Sequence, residues 1–194
     1  KKMNKIIKKI LLLFLLITPV NSETIINSIT EGNIDAKVKI IVYESLTCSH
    51  CANFHKNIYP ELKKQYIDTG IAIIEFKSFP LDMAALNASK IAHCKNDGNS
   101  KILRFLFLNQ TSWIKGETIE QLNLNLKEII NKENFGIDFN KCLNNKNIEN
   151  HILEDRINGV KKHKINATPT IIINNKKFDK PLNFKNLKKI IEKL

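Results

Sequence analysis

Val38-Lys39-Ile40-Ile41-Val42-Tyr43-Glu44, then Ser45-Leu46-Thr47, then Cys48-Ser49-His50-Cys51-Ala52-Asn53-Phe54-His55: the reading of this stretch decides the fold. Its first seven residues are a near-continuous apolar run rich in β-branched side chains, which suits a strand buried on both faces of a sheet. A helix is read from about Ser49 to Tyr66, because Phe54, Ile58 and Leu62 recur every four residues on one face. Pro60 predicts a kink near the preceding turn. Between strand and helix stands a single C-x-x-C. A cysteine at a helix start faces unpaired backbone N–H groups and the positive end of the dipole, and both favour thiolate over thiol.

Outward from that stretch, Ile71 to Lys77 reads as a second buried strand, ended by Phe79-Pro80. From Asp82 to about His163 the period is helical. One helix is read from Met83 to Cys94, broken by Asn96-Asp97-Gly98, and another from Ser100 to Asn109. A third opens on the capping box Thr118-x-x-Gln121 and carries Leu122, Leu126, Ile129 and Ile130 on one face. A short helix holds Cys142, and a longer one from Ile148 carries Ile152, Ile157 and Val160. Thr170 to Asn174, the turn pair Asn174-Asn175 and Lys176 to Asp179 read as a hairpin. A final helix opens near Asn183, with Phe184, Leu187, Ile190, Ile191 and Leu194 as its buried stripe. Residues 23–37 are polar and read as irregular. The expectation is an α/β domain, residues 23–80 plus 164–194, with a helical insertion at 81–163.

The chain has 194 residues, 43% hydrophobic, which fits one domain carrying an insertion. Its 6 glycines and 5 prolines exclude collagen-like and linker-type sequence. A net charge of +12 invites nucleic acid as a partner, yet only Arg104 and Arg156 among the 31 basic residues are arginine. Readers of bases and phosphates lean on arginine's bidentate fork, and the lysines here are scattered along the whole chain. No nucleic-acid partner is expected. Lys1, Lys2, Lys5, Lys8 and Lys9 precede the apolar run Ile10 to Ile17, followed by Val20-Asn21-Ser22. That is the pattern of an export signal cut after Ser22, too short to span a bilayer, which needs about 20 apolar residues. Cleavage removes five lysines and no acid, leaving +7. It also places four cysteines in an oxidising compartment, the periplasm, where disulfides persist.

Three chemistries compete for the C-x-x-C. Zinc wants four ligands, usually as two such pairs, and Cys94 and Cys142 stand alone. Haem attachment needs histidine after the second cysteine, where Ala52 stands. A redox dithiol remains, with Cys48 as exposed nucleophile and Cys51, one turn inside, as resolving thiol. The helix dipole supplies at most about 2 kcal/mol, or about 1.5 pKa units. Strongly acidic thiols lie about five units below a free cysteine, so further donors are needed. His50, inside the motif, is the nearest candidate.

The segment Glu44 to His55 resembles the active site of the DsbA-like thiol:disulfide oxidoreductases, particularly the alphaproteobacterial type. Phe79-Pro80-Leu81 with Ala88 to Cys94, and Ala167-Thr168-Pro169-Thr170 before a strand, fit that family in the same order. The resemblance implies a thioredoxin-like fold with a helical domain inserted between the second strand and a cis-proline hairpin. It also implies that Thr168-Pro169 is the cis-proline loop beside the dithiol, with Thr168 meeting an extended substrate and tuning the thiolate. Reduced substrate proteins with free cysteines are the implied partners, a DsbB-like membrane protein the implied reoxidant, and no bound cofactor or metal is required. In one respect the chain departs from the family. Related sequences carry a buried acid six residues before the first cysteine, where this chain has Val42; Glu44, two residues later on the same strand face, is read as a strand-end residue reaching solvent, the alternative being that it substitutes for that acid in proton transfer. His55 is read as a packing residue, and Trp113 as packing the insertion. Cys94 and Cys142 are expected to form a structural disulfide, the alternative being two separate buried thiols.

The leading expectation is an exported, monomeric dithiol oxidase. An isomerase or reductase of the same fold stays open, though residues 23–37 are too few for an N-terminal dimerisation domain. So does a non-catalytic peptide-binding or chaperone module in which the C-x-x-C is a structural disulfide.

Overall fold

The structure, a computed structural model, describes residues 24–194; the export signal read at residues 1–22 lies outside them. Five strands make one mixed sheet in the order β1-β3-β2-β4-β5, namely β1 Ile29–Gly32, β2 Val38–Glu44, β3 Ala72–Ser78, β4 Thr170–Ile173 and β5 Lys176–Lys177. β2 lies at the centre, parallel to β3 and antiparallel to β4, so that Val42 faces Phe76 on one side and Ile171 on the other. This is why its sequence is apolar with so little alternation. Residues 23–37 are not all irregular, because β1 pairs antiparallel with β3, Ile29 opposite Phe76. Only Ile29 of its four residues is buried; the open edge of β3, rather than any pattern of its own, makes it a strand. Gly32 ends it at φ +110°, where a Cβ would lie 2.6 Å from the Ala72 carbonyl oxygen.

The helix after the dithiol alternates between two windings: α1 Ser49–Asn53, a π-helical turn Phe54–Ile58, α2 Tyr59–Leu62 and a second π-helical turn Lys63–Ile67. The first wide turn ends just before Pro60, which has no N–H to give to the turn below it. Here the expected kink takes the form of a π-bulge. Beyond β3 come α3 Met83–Ala92, α4 Lys101–Leu108, α5 Gln110–Trp113, α6 Ile119–Glu133, α7 Phe139–Leu143 and α8 Lys146–His163, and α9 Phe184–Ile191 closes the chain. The Thr118–Gln121 capping box of α6 has both reciprocal bonds. Asn174 and Asn175 turn the hairpin at φ 45° and 67°, the left-handed region that asparagine tolerates.

One buried core runs without a break from Ile40, Val42 and Phe76 of the sheet, through Phe54 and Leu62, to Ile91, Leu106 and Leu126 of the inserted helices. The other sheet face, with Tyr43 and Ile172, packs against Phe79 and Ile165. Here α8 crosses closely: a Cβ on Gly159 would lie 2.7 Å from the Tyr43 ring. This contact sets the phase of α8. Its inward face is Ile148, Ile152, Asp155 and Gly159, with Asp155 paired to Lys77 at 2.8 Å. Ile157 and Val160, expected inside, are 47% and 43% exposed. Leu194 lies beyond the end of α9 and is 59% exposed, whereas Leu187 and Ile191 of its stripe are buried. Trp113 is buried in the insertion and donates from Nε1 to the Leu106 carbonyl at 3.1 Å. Cys94 and Cys142 are joined in a disulfide with Cα atoms 5.3 Å apart, tying the end of α3 to α7.

Candidate active site

Where β2 ends, the chain turns through Ser45-Leu46-Thr47 and delivers Cys48 as the N-cap of α1, with φ −80° and ψ 119°. That turn is held from four directions. Cys48 N donates to the Ser45 carbonyl at 3.0 Å, and Thr47 Oγ1 donates to Asp82 Oδ2 at 2.7 Å. Gln110 Nε2 donates to the carbonyls of Leu46 at 2.8 Å and Cys48 at 3.0 Å. Leu81 N donates to Ser45 Oγ at 3.3 Å. Asp82 is legible in sequence as the cap of α3, but nothing local announces Gln110, which reaches the turn from 62 residues away.

The two cysteines are free thiols in unequal surroundings. Cys48 is half-buried and Cys51 fully buried. Cys48 Sγ lies 3.3 Å from the Thr168 carbonyl, and the Thr168–Pro169 bond is cis, so residues 120 positions apart in sequence meet at the sulfur. The Cys48 thiol is lowered from 9.0 to about 5, chiefly by a hydrogen bond from the Cys51 thiol. The Thr168 hydroxyl and the backbone N–H groups of Cys51 and His50 add to it, against a desolvation that works the other way. As placed, the Thr168 hydroxyl is buried with no hydrogen-bond partner among the described residues, which leaves it free to turn to that sulfur. Cys51 is pushed the opposite way, first by burial, then by its bond to Cys48 and by the charge of Glu44. The ring of His50 is exposed; the donor this residue offers the thiolate is its backbone N–H.

Glu44 does not reach solvent. It is 3% exposed, and its Oε2 lies 2.8 Å from Nε2 of His55, itself 1% exposed. His55 follows Cys51 by one helical turn and so falls on the same face, stacked on Phe107 at 4.2 Å with 13° between the rings. Glu44 Oε1 and His55 Nδ1 are both buried without partners. A buried unpaired donor costs about 1–3 kcal/mol, so the tautomer assigned is Nε2–H donating to a carboxylate, with Nδ1 a bare acceptor. Burial raises the Glu44 carboxyl against the opposing pull of His55. Among the described residues no group of three or more His, Cys, Asp or Glu comes together that could hold a metal ion.

A measurable consequence concerns pH. Alkylation of Cys48 in the reduced protein by iodoacetamide is expected to follow a single titration with its midpoint near about 5. Thr168→Val removes one donor to the thiolate and raises that midpoint. An unchanged midpoint in the variant would mean that the threonine hydroxyl does not serve the sulfur.

The sequence profile of the family described as thioredoxin matches residues 24–193. Alpha-DsbA1 of Wolbachia pipientis superposes with a TM-score of 0.78 at 32% identity, over 88% of this chain and 92% of that one. BdbD of Bacillus subtilis shares the fold, with a TM-score of 0.73 at 23% identity over 86% of this chain and 91% of that one. A Rickettsia bellii protein named as a protein-disulfide oxidoreductase is 30% identical over 152 residues, 76% of this chain and 57% of that protein. The chain thus spans little more than half the length of that relative. With profile, fold and dithiol turn in agreement, the chain belongs to the thioredoxin family, among its DsbA-like members.

Proposed function

We propose that the protein is an exported dithiol oxidase that introduces disulfides into other proteins. The observation that carries this reading is the contrast within the C-S-H-C pair, an accessible low-pKa sulfur above a buried high-pKa one. In the oxidised protein a substrate thiolate attacks Cys48 Sγ. The Cys48–substrate bond forms, the Cys48–Cys51 bond breaks, and Cys51 leaves with the electron pair and takes up a proton. A second substrate thiolate then attacks the substrate sulfur of the mixed disulfide. The substrate disulfide forms and Cys48 departs as a stabilised thiolate, so two electrons have passed to the enzyme. A DsbB-like membrane protein returns it to the oxidised state. Thr168 and Pro169 present the backbone edge along which an extended substrate lies beside Cys48. The lysine-rich leader, cleaved after Ser22, directs the chain to the periplasm, where it acts as a monomer.

Stabilising the thiolate stabilises the reduced enzyme and makes its disulfide oxidising. The deciding experiment is the reduction potential against glutathione, together with oxidation of a reduced two-cysteine peptide by the oxidised protein. A potential well above the thioredoxin value of about −270 mV is expected. A value near it, with no peptide oxidised, would replace this reading with a reductase or a binding module.

Glu44 and His55 serve the buried half of the pair. Cys51 gains a proton when it leaves and must lose one when the disulfide is remade. The unpartnered Oε1 of Glu44 is the buried base whose charge already acts on it. Glu44→Gln keeps the shape and removes the base. It is expected to slow resolution of a Cys48–glutathione mixed disulfide at pH 7 by about 100-fold, the lower end of general acid–base assistance. Acid-quenched mass spectrometry follows the decay; equal rates in variant and parent exclude the role.

A further inference from the structure

The chain's scarce arginines point to a second site, away from the dithiol. Where nearly every basic residue is lysine, an arginine marks a position at which a compact ammonium does not serve. Arg156 lies over the buried Phe79 ring at 5.1 Å. Arg104 lies over the Tyr59 ring at 4.9 Å, and that stacking fixes its plane without using its hydrogen bonds. Its Nε is buried with no acceptor, and among the described residues no carboxylate lies within ion-pair distance of its guanidinium. It forms one wall of a cleft of about 590 Å³ between β1, the length of α4 and the end of α6 with Phe135 beyond it.

The rest of the cleft is mixed in character. Phe105, Leu108 and Phe135 give it an apolar side, and Leu108 is 53% exposed there with no function in the core. Lys101 Nζ hangs over Phe135 at 5.9 Å, likewise without an ion-pair partner among the described residues. Two acids also line the space. Glu31 is already engaged by Lys63 at 2.7 Å, an ammonium it shares with Asp68, and by Ser100 on the cleft wall. Glu133 is exposed at the rim. Lys101 and Glu133 are both exposed and of opposite sign, so the charge without a partner on the inner wall is the planar Arg104 guanidinium, next to aromatic carbon.

We propose that this cleft binds a carboxylate attached to an aromatic or bulky apolar group, the acid bridging Arg104 and the apolar group resting against Phe105, Leu108 and Phe135. A planar guanidinium with no ion pair among the described residues matches the two oxygens of a carboxylate through its outer N–H groups, and a neutral ligand would be a poorer match. A free aromatic acid and the C-terminal residue of a peptide present the same chemistry. The site is independent of the dithiol and stands whether or not the protein oxidises substrates.

Titration of the full chain with N-acetyl-phenylalanine, its carboxamide and a tetrapeptide ending in phenylalanine, followed by calorimetry, tests it. Saturable binding of the acid is expected with a Kd of about 1 mM or below, and at least about tenfold weaker binding of the carboxamide. Equal or tighter binding of the tetrapeptide assigns the site to peptide C-termini, and binding of the small acid alone assigns it to free acids. Arg104→Gln is expected to lose about tenfold or more, and Leu108→Asp, at an exposed position that leaves the core intact, to lose a similar amount by repulsion. No saturable binding of either carboxylate, equal affinity for acid and carboxamide, or an unchanged Kd in Leu108→Asp overturns the proposal.

Discussion

Cys48→Ser is expected to lower exchange with a dithiol peptide by more than about 10³-fold, and Cys51→Ser to convert the protein into a trap that stops at the mixed disulfide. The first effect follows from the division of labour between the sulfurs. With Cys48 at about 5, about 99% of it is thiolate at pH 7, against about 3% for an ordinary cysteine. Cys51 cannot stand in, because it is fully buried and its thiol is held protonated by burial and by Glu44. A serine hydroxyl forms no disulfide at all. In Cys51→Ser, offered a disulfide-bonded peptide, the Cys48 thiolate attacks one peptide sulfur, the Cys48–peptide bond forms and the peptide disulfide breaks with its other sulfur leaving as thiolate. The attack by residue 51 that would release the adduct is gone, and the adduct is read by mass spectrometry.

The choice of replacement at position 51 adds a finer test. The leading stabiliser of the Cys48 thiolate is the hydrogen bond from Cys51. Serine keeps a donor there and alanine does not, so the alkylation midpoint of Cys48 is expected to rise further in Cys51→Ala than in Cys51→Ser. The same depressed pKa fixes the pH dependence of stability. A thiol whose folded pKa lies below its unfolded value contributes stability in full above the unfolded pKa, and loses it as pH falls towards the folded one. The reduced protein is therefore expected to gain most over the oxidised form just below pH 9, the advantage fading towards pH 5 with the Cys48 thiolate and falling again above pH 9, where an unfolded Cys51 ionises and the buried one does not. Thermal melts of both redox forms across that range check the sign.

What the sequence makes legible, and what it does not, divides along the range of the interactions. β2, the C-S-H-C turn, the capping box at Thr118 and the Asn174-Asn175 hairpin are each specified by neighbours in the chain, and a local reading finds them. β1 is different, because one buried isoleucine does not make a period; it needs β3's edge to exist. Gln110 is one polar residue among many until the fold brings it to the Leu46 and Cys48 carbonyls. The burial of Glu44 is the most instructive failure. At the end of a strand a carboxylate belongs in water by its own preference, and only the arrival of His55, braced by Phe107, turns that position inward. The phase of α8 misled for the opposite reason. A glycine packed on Tyr43 and an aspartate paired with Lys77 share its inner face with Ile148 and Ile152, while Ile157 and Val160 point out.

Replacing Cys94 and Cys142 together by alanine is expected to destabilise the fold by about 4 kcal/mol, since their bond closes a loop of 48 residues. At about 2–4 °C per kcal/mol for a chain of this size, the melting temperature should fall by roughly 8–16 °C. The chain-entropy model assigns that loss to the unfolded chain, which the bond no longer confines. A second, smaller contribution belongs to the folded state, because Cys142 is fully buried within the core that Ile91 and Leu126 share, and an alanine there leaves space unfilled. The site itself should be spared. Cys48, Thr168 and the turn held by Asp82 and Gln110 make no contact through this bond, so the alkylation midpoint of Cys48 is expected to stay where it is while the melt moves. A shift in both would mean that the bond positions α3, and through Asp82 the dithiol turn, rather than only holding the insertion closed.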